Sequence, residues 1–365
     1  MGAREAGRRD RLRATAAANG LDAVLVTDLL NVRYLTGFTG SNGVFLLRTD
    51  GADLFGTDGR YTTQAGAQVP DVELLVDRGT EQAVARAAVD GGATRLGFES
   101  HVVTVDGLHA LERVTGEGSA PVELVSVRRA VEALRAVKDD AEVEALRRAC
   151  AVADRALAEL AAEGALRPGR TEREVGRELD ARMLTLGAEA PSFETIVAAG
   201  ANSAIPHHRP DTTVLRDGDL LKLDFGATVD GYHSDMTRTF VLGHAADWQR
   251  DVHELVAASQ AAGRAALAVG TEVRAVDAAS RDVIAAAGHG EHFTHGLGHG
   301  VGLEVHEAPS VGPLGTGTLA AGMAVTVEPG VYLPGHGGVR IEDTLIVTDD
   351  EPELLTLTSK ELLVL

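Results

Sequence analysis

Along the first third of the chain, apolar residues fall into short runs: AVLV (23–26), GVFLL (43–47), ADLF (52–55) and VELLV (72–76). Each is too short for a helix. Turn signals such as Asp50-Gly51 and Asp58-Gly59 lie between them, and the pattern predicts β-strands. An amphipathic helix over 8–20 precedes them and stops at Asn19-Gly20. Helices near 80–89 and 104–113, with strands near 95–98 and 122–127, complete a mixed α/β unit of about 130 residues, an ordinary domain size. The charged stretch RRAVEALRAVKDD (128–140) marks the boundary, so the domains are expected at 1–136 and 137–365.

Beyond it the period lengthens. Val143, Leu146, Cys150, Ala153, Leu157 and Leu160 form one stripe of a helix over 139–163. Thr171 and Glu174 make a capping box for a second helix, with Val175, Leu179, Met183 and Leu186 facing inward. Strands are expected at 194–199, 219–227 and 232–242, then helices at 247–268 and 271–287. Strands return at 301–306, 323–328, 338–347 and 353–357. Helices and strands, then helices and strands again, suggest two related halves.

Composition narrows the function. A chain of 365 residues with 44% apolar content can bury a sizeable core. A net charge of −20 argues against nucleic-acid or anionic-membrane binding, both of which need a basic surface. The single cysteine, Cys150, cannot form an intrachain disulfide, and its helical stripe predicts packing. The charged N-terminus lacks the apolar region of a signal peptide, and no stretch approaches the ~20 apolar residues of a membrane span. A soluble cytoplasmic protein is expected.

The candidate chemistry centres on HGEHFTHGLGHGVGLEVH (289–306). It holds five of the thirteen histidines, His289, His292, His295, His299 and His306, interleaved with glycine. Imidazoles crowded onto a Gly-rich loop or strand suggest a metal or catalytic site, although a polar surface loop is also compatible. Acids flank the cluster. In DLLKLDFGA (219–227), alternation turns Asp224 away from the apolar face. If Asp230-Gly231 is the hairpin turn, Asp235 stands opposite Gly226 and diagonal to Asp224. Two such carboxylates repel unless a cation joins them, or else they are surface acids on an exposed hairpin. Glu328 closes the strand run MAVTVEPG before Pro329. In GVRIEDTLIV (338–347), Arg340, Glu342 and Thr344 share a face, and Arg340 could simply be the ion-pair partner of Glu342. Alternation in EVHE places Glu304 and His306 together.

Four carboxylates and one imidazole form an oxygen-rich set suited to two divalent ions such as Mn²⁺, Co²⁺ or Zn²⁺, with room for a shared hydroxide. The His295–His299 spacing has Gly296 where a zincin helix would carry Glu.

LDFGA with SDMTRTF, then HGLGHGVGLEVHE, VEPGVY and GVRIEDT, resembles the pita-bread metallopeptidases, among them Xaa-Pro aminopeptidase, Xaa-Pro dipeptidase and methionine aminopeptidase. NVRYLTGFTGSNG (31–43) and DGRYTTQA (58–65) resemble the creatinase-type N-terminal domain of the proline-specific branch. The implied fold is α/β (α+β): that domain, then a pita-bread domain of two related α/β halves. The implied metal ligands are Asp224, Asp235, His299, Glu328 and Glu342, binding two ions, Mn²⁺ first. The implied catalytic residues are His207 in the loop SFETIVAAGANSAIPHH (192–208), His306, Glu328 as proton shuttle, and Arg340 orienting the carboxylates. His208 is the bystander and His295 a supporting residue. The expected activity is cleavage of an N-terminal residue from a following proline, an Xaa-Pro aminopeptidase, with an Xaa-Pro dipeptidase as alternative. A metal-free creatinase-like enzyme and a protein-binding module remain from other classes. The resemblance also implies peptide substrates with proline second, and a homodimer or higher homo-oligomer whose N-terminal domain shapes a neighbour's site.

Overall fold

The computed structural model describes residues 2–118 and 121–365. By internal contacts the chain divides after Arg135 into two compact units. The first runs α1 (Gly2–Ala18), β1 (Ala23–Val26), α2 (Leu29–Thr36), β2 (Val44–Arg48), β3 (Leu54–Thr57), α3 (Thr62–Gln68), β4 (Glu73–Val76), α4 (Thr80–Asp90), β5 (Arg95–Phe98), α5 (Val105–Gly116), β6 (Glu123–Ser126) and α6 (Ala130–Arg135). Its mixed sheet has the order β4-β3-β2-β1-β5-β6. The apolar runs become its strands, and Leu25, Leu46, Val84, Leu96 and Leu111 pack in its core.

Three helices, α2, α3 and α6, lie outside the elements expected from periodicity. For α2 the local signals are explicit. Asp28 caps it by accepting from Leu30 and Asn31 N–H, and Gly37, at φ 79°, ends it in the left-handed region.

In the second unit α7 (Asp140–Ala162) and α8 (Glu172–Thr185) both open on capping boxes, Asp139 with Glu142 and Thr171 with Glu174. Each N-cap is worth about 1 kcal/mol. Then come β7 (Ala190–Pro191), β8 (Ile196–Ala199), β9 (Leu220–Phe225), β10 (Ala227–Val229), β11 (Tyr232–His233) and β12 (Met236–Val241). The helices α9 (Asp247–Ala265) and α10 (Val273–Ala286) begin the second half. It continues with β13 (Gly298–Gly300), β14 (Glu307–Val311), β15 (Ala324–Val327), β16 (Gly330–Leu333), β17 (Gly337–Arg340), β18 (Asp343–Ile346) and β19 (Glu353–Leu354).

The antiparallel sheet β12-β9-β8 belongs to the first half, and β14-β13-β15-β18-β19 to the second. Two helices and a sheet thus occur twice, each half with its own apolar cluster, the first around Leu157, Leu179 and Leu223 and the second around Val256, Ile284 and Val327. Cys150 is buried in α7, where burial pushes its thiol well up and out of the reactive range. No helix among the described residues is long and apolar enough to cross a membrane.

Three strand expectations fail, the first at 232–242, which is two strands in different sheets, β11 paired with β10 and β12 with β9. Residues 301–306 are not a strand; they form a bend between β13 and β14, where the pairing register shifts at His299/Gly300. The run 338–347 is two strands in different sheets, β17 paired with β16 and β18 with β15, with the break at Ile341-Glu342.

Candidate active site

Asp224 lies on β9, in the first half. Asp230 (φ 50°) and Gly231 (φ 74°) form a two-residue turn of positive φ, with Val229 paired to Tyr232. This is the turn geometry that suits the twist of a hairpin. The register continues through Met236 opposite Phe225 and Thr237 opposite Asp224, which sets Asp235 across from Gly226. Gly226 is required there, since a Cβ would fall on the Ser234 carbonyl oxygen. The local chemistry of one turn therefore brings two acids together.

The second half supplies the rest: His299 on β13, Glu328 just past β15 and Glu342 between β17 and β18. The glycines around His299 have a steric cause. A side chain at Gly298 would strike the Thr326 carbonyl, and one at Gly300 the Ala308 carbonyl. Glycine lets β13 sit this close to its neighbours.

All five residues line one pocket of about 480 Å³. His299 Nε2 is 3.3 Å from Glu328 Oε1 and 3.6 Å from Asp235 Oδ2. Its Nδ1 faces the Gly300 carbonyl at 3.1 Å, which leaves Nε2 to the carboxylates. Asp235, His299 and Glu342 each offer a ligand atom within 4.8 Å of the others. Arg340 is buried and pairs with Asp224, not Glu342. It also donates to Tyr332 OH at 2.9 Å and Thr237 Oγ1 at 3.0 Å. Thr237 Oγ1 in turn donates to Glu342 Oε2 at 2.7 Å. The register sets Thr237 opposite Asp224, yet neither Thr237 nor Tyr332 stands out in the sequence by itself.

The electrostatics are unbalanced. Burial, then Glu342, Asp224 and Glu328, push Asp235 well above the ordinary carboxylate range. Burial, then Glu328 and Asp224, do the same to Glu342. Burial alone would lift Glu328 too, but the hydrogen bond and charge of His299, together with the charges of His295 and Arg340, hold Glu328 below its usual value. His299 is raised in return, against its own burial. Asp224 Oδ1 and Asp235 Oδ1 are buried without a hydrogen-bond partner among the described residues. Orphaned anionic oxygens beside repelling carboxylates are costly as they stand, and the donor set fits divalent cations.

The remaining histidines separate by their contacts. His306 packs edge-on against His299, ring centroids 4.3 Å apart, and reaches the pocket from the bend rather than from a strand face. Burial and the charge of His299 lower it, favouring a neutral ring. His207 is exposed at the pocket wall. His295 uses both ring nitrogens at 2.8 Å, toward Tyr332 OH and the Gly296 carbonyl, and so has none left for a metal. His289 and His292 contact each other and do not line the pocket. His208 pairs with Glu172 at 2.6 Å. Glu172, His208 and Asp211 also have metal-like spacing, but Glu172 is already filled by the Ala199 and Asp211 N–H groups, Asn202 and His208.

Residues 144–349 match the model of metallopeptidase family M24, and residues 8–137 the creatinase/prolidase N-terminal domain. The chain is a member of the M24 metallopeptidase family. This M24 chain is 40% identical to an uncharacterized peptidase, YqhT, of Bacillus subtilis, over 98% of its own length and 99% of the other. It is 34% identical to an Xaa-Pro dipeptidase of Pyrococcus horikoshii, over 94% and 95%. Among solved structures, an Xaa-Pro dipeptidase from Bacillus anthracis superposes with a TM-score of 0.94 at 38% identity, covering 99% of this chain and 100% of that one. An X-Pro aminopeptidase from Thermotoga maritima MSB8 follows at 0.89 and 31%, covering 98% and 99%.

Proposed function

We propose that this M24 protein is a metal-dependent Xaa-Pro dipeptidase. The observation that carries the reading is full-length similarity to proteins of that name, joined to a pocket whose lining includes the carboxylates of Asp224, Asp235, Glu328 and Glu342 and the imidazole of His299. The same relatives favour the dipeptidase over the aminopeptidase that the sequence motifs put first. The complete set of five ligand-type residues and the orphaned oxygens of Asp224 and Asp235 speak against a metal-free enzyme or a binding module.

Asp224, Asp235, His299, Glu328 and Glu342 would hold two divalent ions, with Mn²⁺ the first choice and Co²⁺ or Zn²⁺ substitutes. Bound ions would supply an activated water and positive charge for the developing oxyanion. The remaining work falls to the chain. Arg340 fixes Asp224 and, through Thr237, Glu342. Glu328 takes the proton of the attacking water and delivers it to the proline nitrogen, a tertiary amide nitrogen that needs a proton to leave. His306 and His207 donate to the substrate carbonyl oxygen as negative charge forms on it.

A dipeptide also carries a free carboxylate on its proline. Arg209 is the one pocket-lining side chain of permanent positive charge among the described residues. Its Nε meets Glu194 at 3.1 Å, and its terminal nitrogens have no partner there. We assign it to that carboxylate, which a guanidinium fork binds well.

The test compares Ala-Pro, Ala-Pro-Ala and Ala-Ala as substrates for dialysed protein with Mn²⁺ restored. Selective cleavage of Ala-Pro is expected. Equal cleavage of Ala-Pro-Ala would make the protein an aminopeptidase, and full activity without metal would remove the metallopeptidase mechanism.

A further inference from the structure

Lys222 is the side chain that the mechanism above leaves without a task. It sits on β9 two residues before Asp224, fully buried. A buried lysine in a central strand is expensive unless its donors are used. Here they are all spent on one segment. Nζ donates to the carbonyls of Ser203 (3.1 Å), Ile205 (2.8 Å) and Pro206 (3.3 Å), and lies 5.1 Å from the centre of the Tyr332 ring. These three acceptors immediately precede His207.

The segment is fixed at almost every other point. Ser203 Oγ donates to the Gly200 carbonyl at 2.6 Å and accepts from Gly338 N–H at 2.8 Å. Pro206 O also accepts from Arg340 at 3.1 Å. On the far side His208 is tied to Glu172 at 2.6 Å and Arg209 to Glu194 at 3.1 Å. Among the described residues, His207 has the one polar side chain of this stretch without a hydrogen-bond or ion-pair partner, and it lines the pocket. A loop pinned on both sides of one free imidazole is a mount for that imidazole. Among the described residues no other side chain replaces the lysine beneath residues 205 and 206, because Arg340 reaches only the second of these carbonyls.

We propose that Lys222 is a positioning residue: by gathering the carbonyls of 203, 205 and 206 it sets the height and direction at which His207 enters the pocket. Binding or transition-state contact by His207 then needs no reordering of the loop, and such preorganisation is a recognised source of rate. The use made of His207 rests on the peptidase reading above, whereas its placement by Lys222 does not.

The experiment uses the full chain and the variants Lys222→Met, which keeps length and loses all donors, His207→Ala, and the double variant. Two readouts are taken. The first is the His207 resonance in protein labelled at histidine Cε1, assigned by its loss in His207→Ala. One sharp signal is expected in the parent, and a broadened or split one in Lys222→Met. The second is kcat/KM on Ala-Pro with Mn²⁺ and measured metal content. Lys222→Met is expected to lose about 10–10²-fold, the scale of a side chain displaced by about 1 Å, with metal retained. In the His207→Ala background the same substitution should cost less than about threefold, because coupled residues are not additive.

An unchanged His207 signal overturns the proposal whatever the protein hydrolyses. So does a full multiplicative loss in the His207→Ala background, which would mean that Lys222 acts elsewhere. A parent inactive on every Xaa-Pro substrate removes the peptidase reading instead, and the resonance then decides the proposal alone. Should Lys222→Met fail to fold, Lys222→Gln, with a shorter side chain and one amide donor group, carries the same two readouts.

Discussion

Glu342 and Asp343 are adjacent, almost equally buried at 2% and 0% exposure, and opposite in fate. Asp343 is the end point of a closed network. Arg238 (2.7 Å) and Thr356 (2.9 Å) donate to one oxygen, and Gln260 (2.8 Å) and Lys360 (2.7 Å) to the other. Burial would lift it, but the charges of Arg238 and Lys360 outweigh burial and hold it below the ordinary carboxylate range. Among the described residues Glu342 receives one side-chain hydrogen bond, from Thr237, and it is driven up by burial, Glu328 and Asp224. The alternation of an extended chain turns one side chain into the core and the other toward the pocket. Where the fold needs an anchored carboxylate it provides its own cations. Where it provides too few, the deficit fits the divalent cations proposed above.

The sharpest break of this comparison is a pair of neutral isosteres studied without metal. Asp343→Asn leaves Arg238 buried without its ion-pair partner, a change that typically costs about 3–5 kcal/mol. Glu342→Gln removes a repelling charge. A carboxylate whose folded-state value is raised contributes stability at pH below its unfolded value and loses it as pH rises through the folded one. At pH 7 the stripped Glu342→Gln variant should therefore be at least as stable as the stripped parent. Denaturant titration after chelation checks both signs. In metal analysis Glu342→Gln should lose at least one ion per chain, while any Asp343→Asn that remains folded should keep its metal.

The same contrast explains what could be read beforehand. The Asp224–Asp235 pairing was legible because a two-residue Asp-Gly turn fixes register locally, and Glu328 because Pro329 ends its strand. The split of 338–347 was not legible. Alternation runs unbroken through Ile341-Glu342, and only the partners, β16 on one side and β15 on the other, divide it. The bend at 301–306 was hidden for the related reason that a Gly-rich stretch of alternating residues imitates a strand. Arg340 was expected to hold site carboxylates, and which one it pairs with, Asp224, could not be read locally because the two are 116 positions apart. Lys222 and Tyr332 escaped notice because their meaning lies entirely in distant backbone and side chains.

Within the pocket, His306 tests whether contact with the ligand set implies membership of it. It packs on His299 yet is not required to complete a five-residue set. As a donor to the developing oxyanion, its loss in His306→Ala should lower kcat by about 10²–10³-fold with KM far less affected. Metal content should stay at the parent level, whereas His299→Ala loses an ion. If His306→Ala loses metal as well, His306 is itself a metal ligand beside His299.

Arg209 is an exposed guanidinium that lines the pocket with Glu194 as its one ion-pair partner among the described residues, and its proposed task is to bind the substrate carboxylate. Charged hydrogen bonds contribute about 1.5–3 kcal/mol, so Arg209→Ala should reduce kcat/KM on Ala-Pro by roughly 10–100-fold. Hydrolysis of the uncharged analogue Ala-Pro-amide should change little. Equal losses on both substrates would deny Arg209 a role in reading the carboxylate.

The smallest effect concerns a buried group settled by neither route. His253 on α9 is 5% exposed, and burial alone lowers it from 6.5 to about 4. Nature here solves the burial of charge by keeping the ring neutral. Between those two values the unfolded chain binds a proton that the folded chain refuses, so stability rises with pH through that window. The contribution is complete above 6.5 and is lost as pH falls toward 4, reaching a deficit of about 1–2 kcal/mol near pH 5. Glu342 and Asp235 have the opposite sign, which is why the parent alone cannot isolate it. His253→Leu carries no titrating group, and the difference between variant and parent cancels every other site. That difference, measured by denaturant titration from pH 7 to pH 5, should shift in the variant's favour as pH falls. A difference that stays flat across the window would mean that His253 takes up its proton in the folded protein, with an anion or water near enough to receive it.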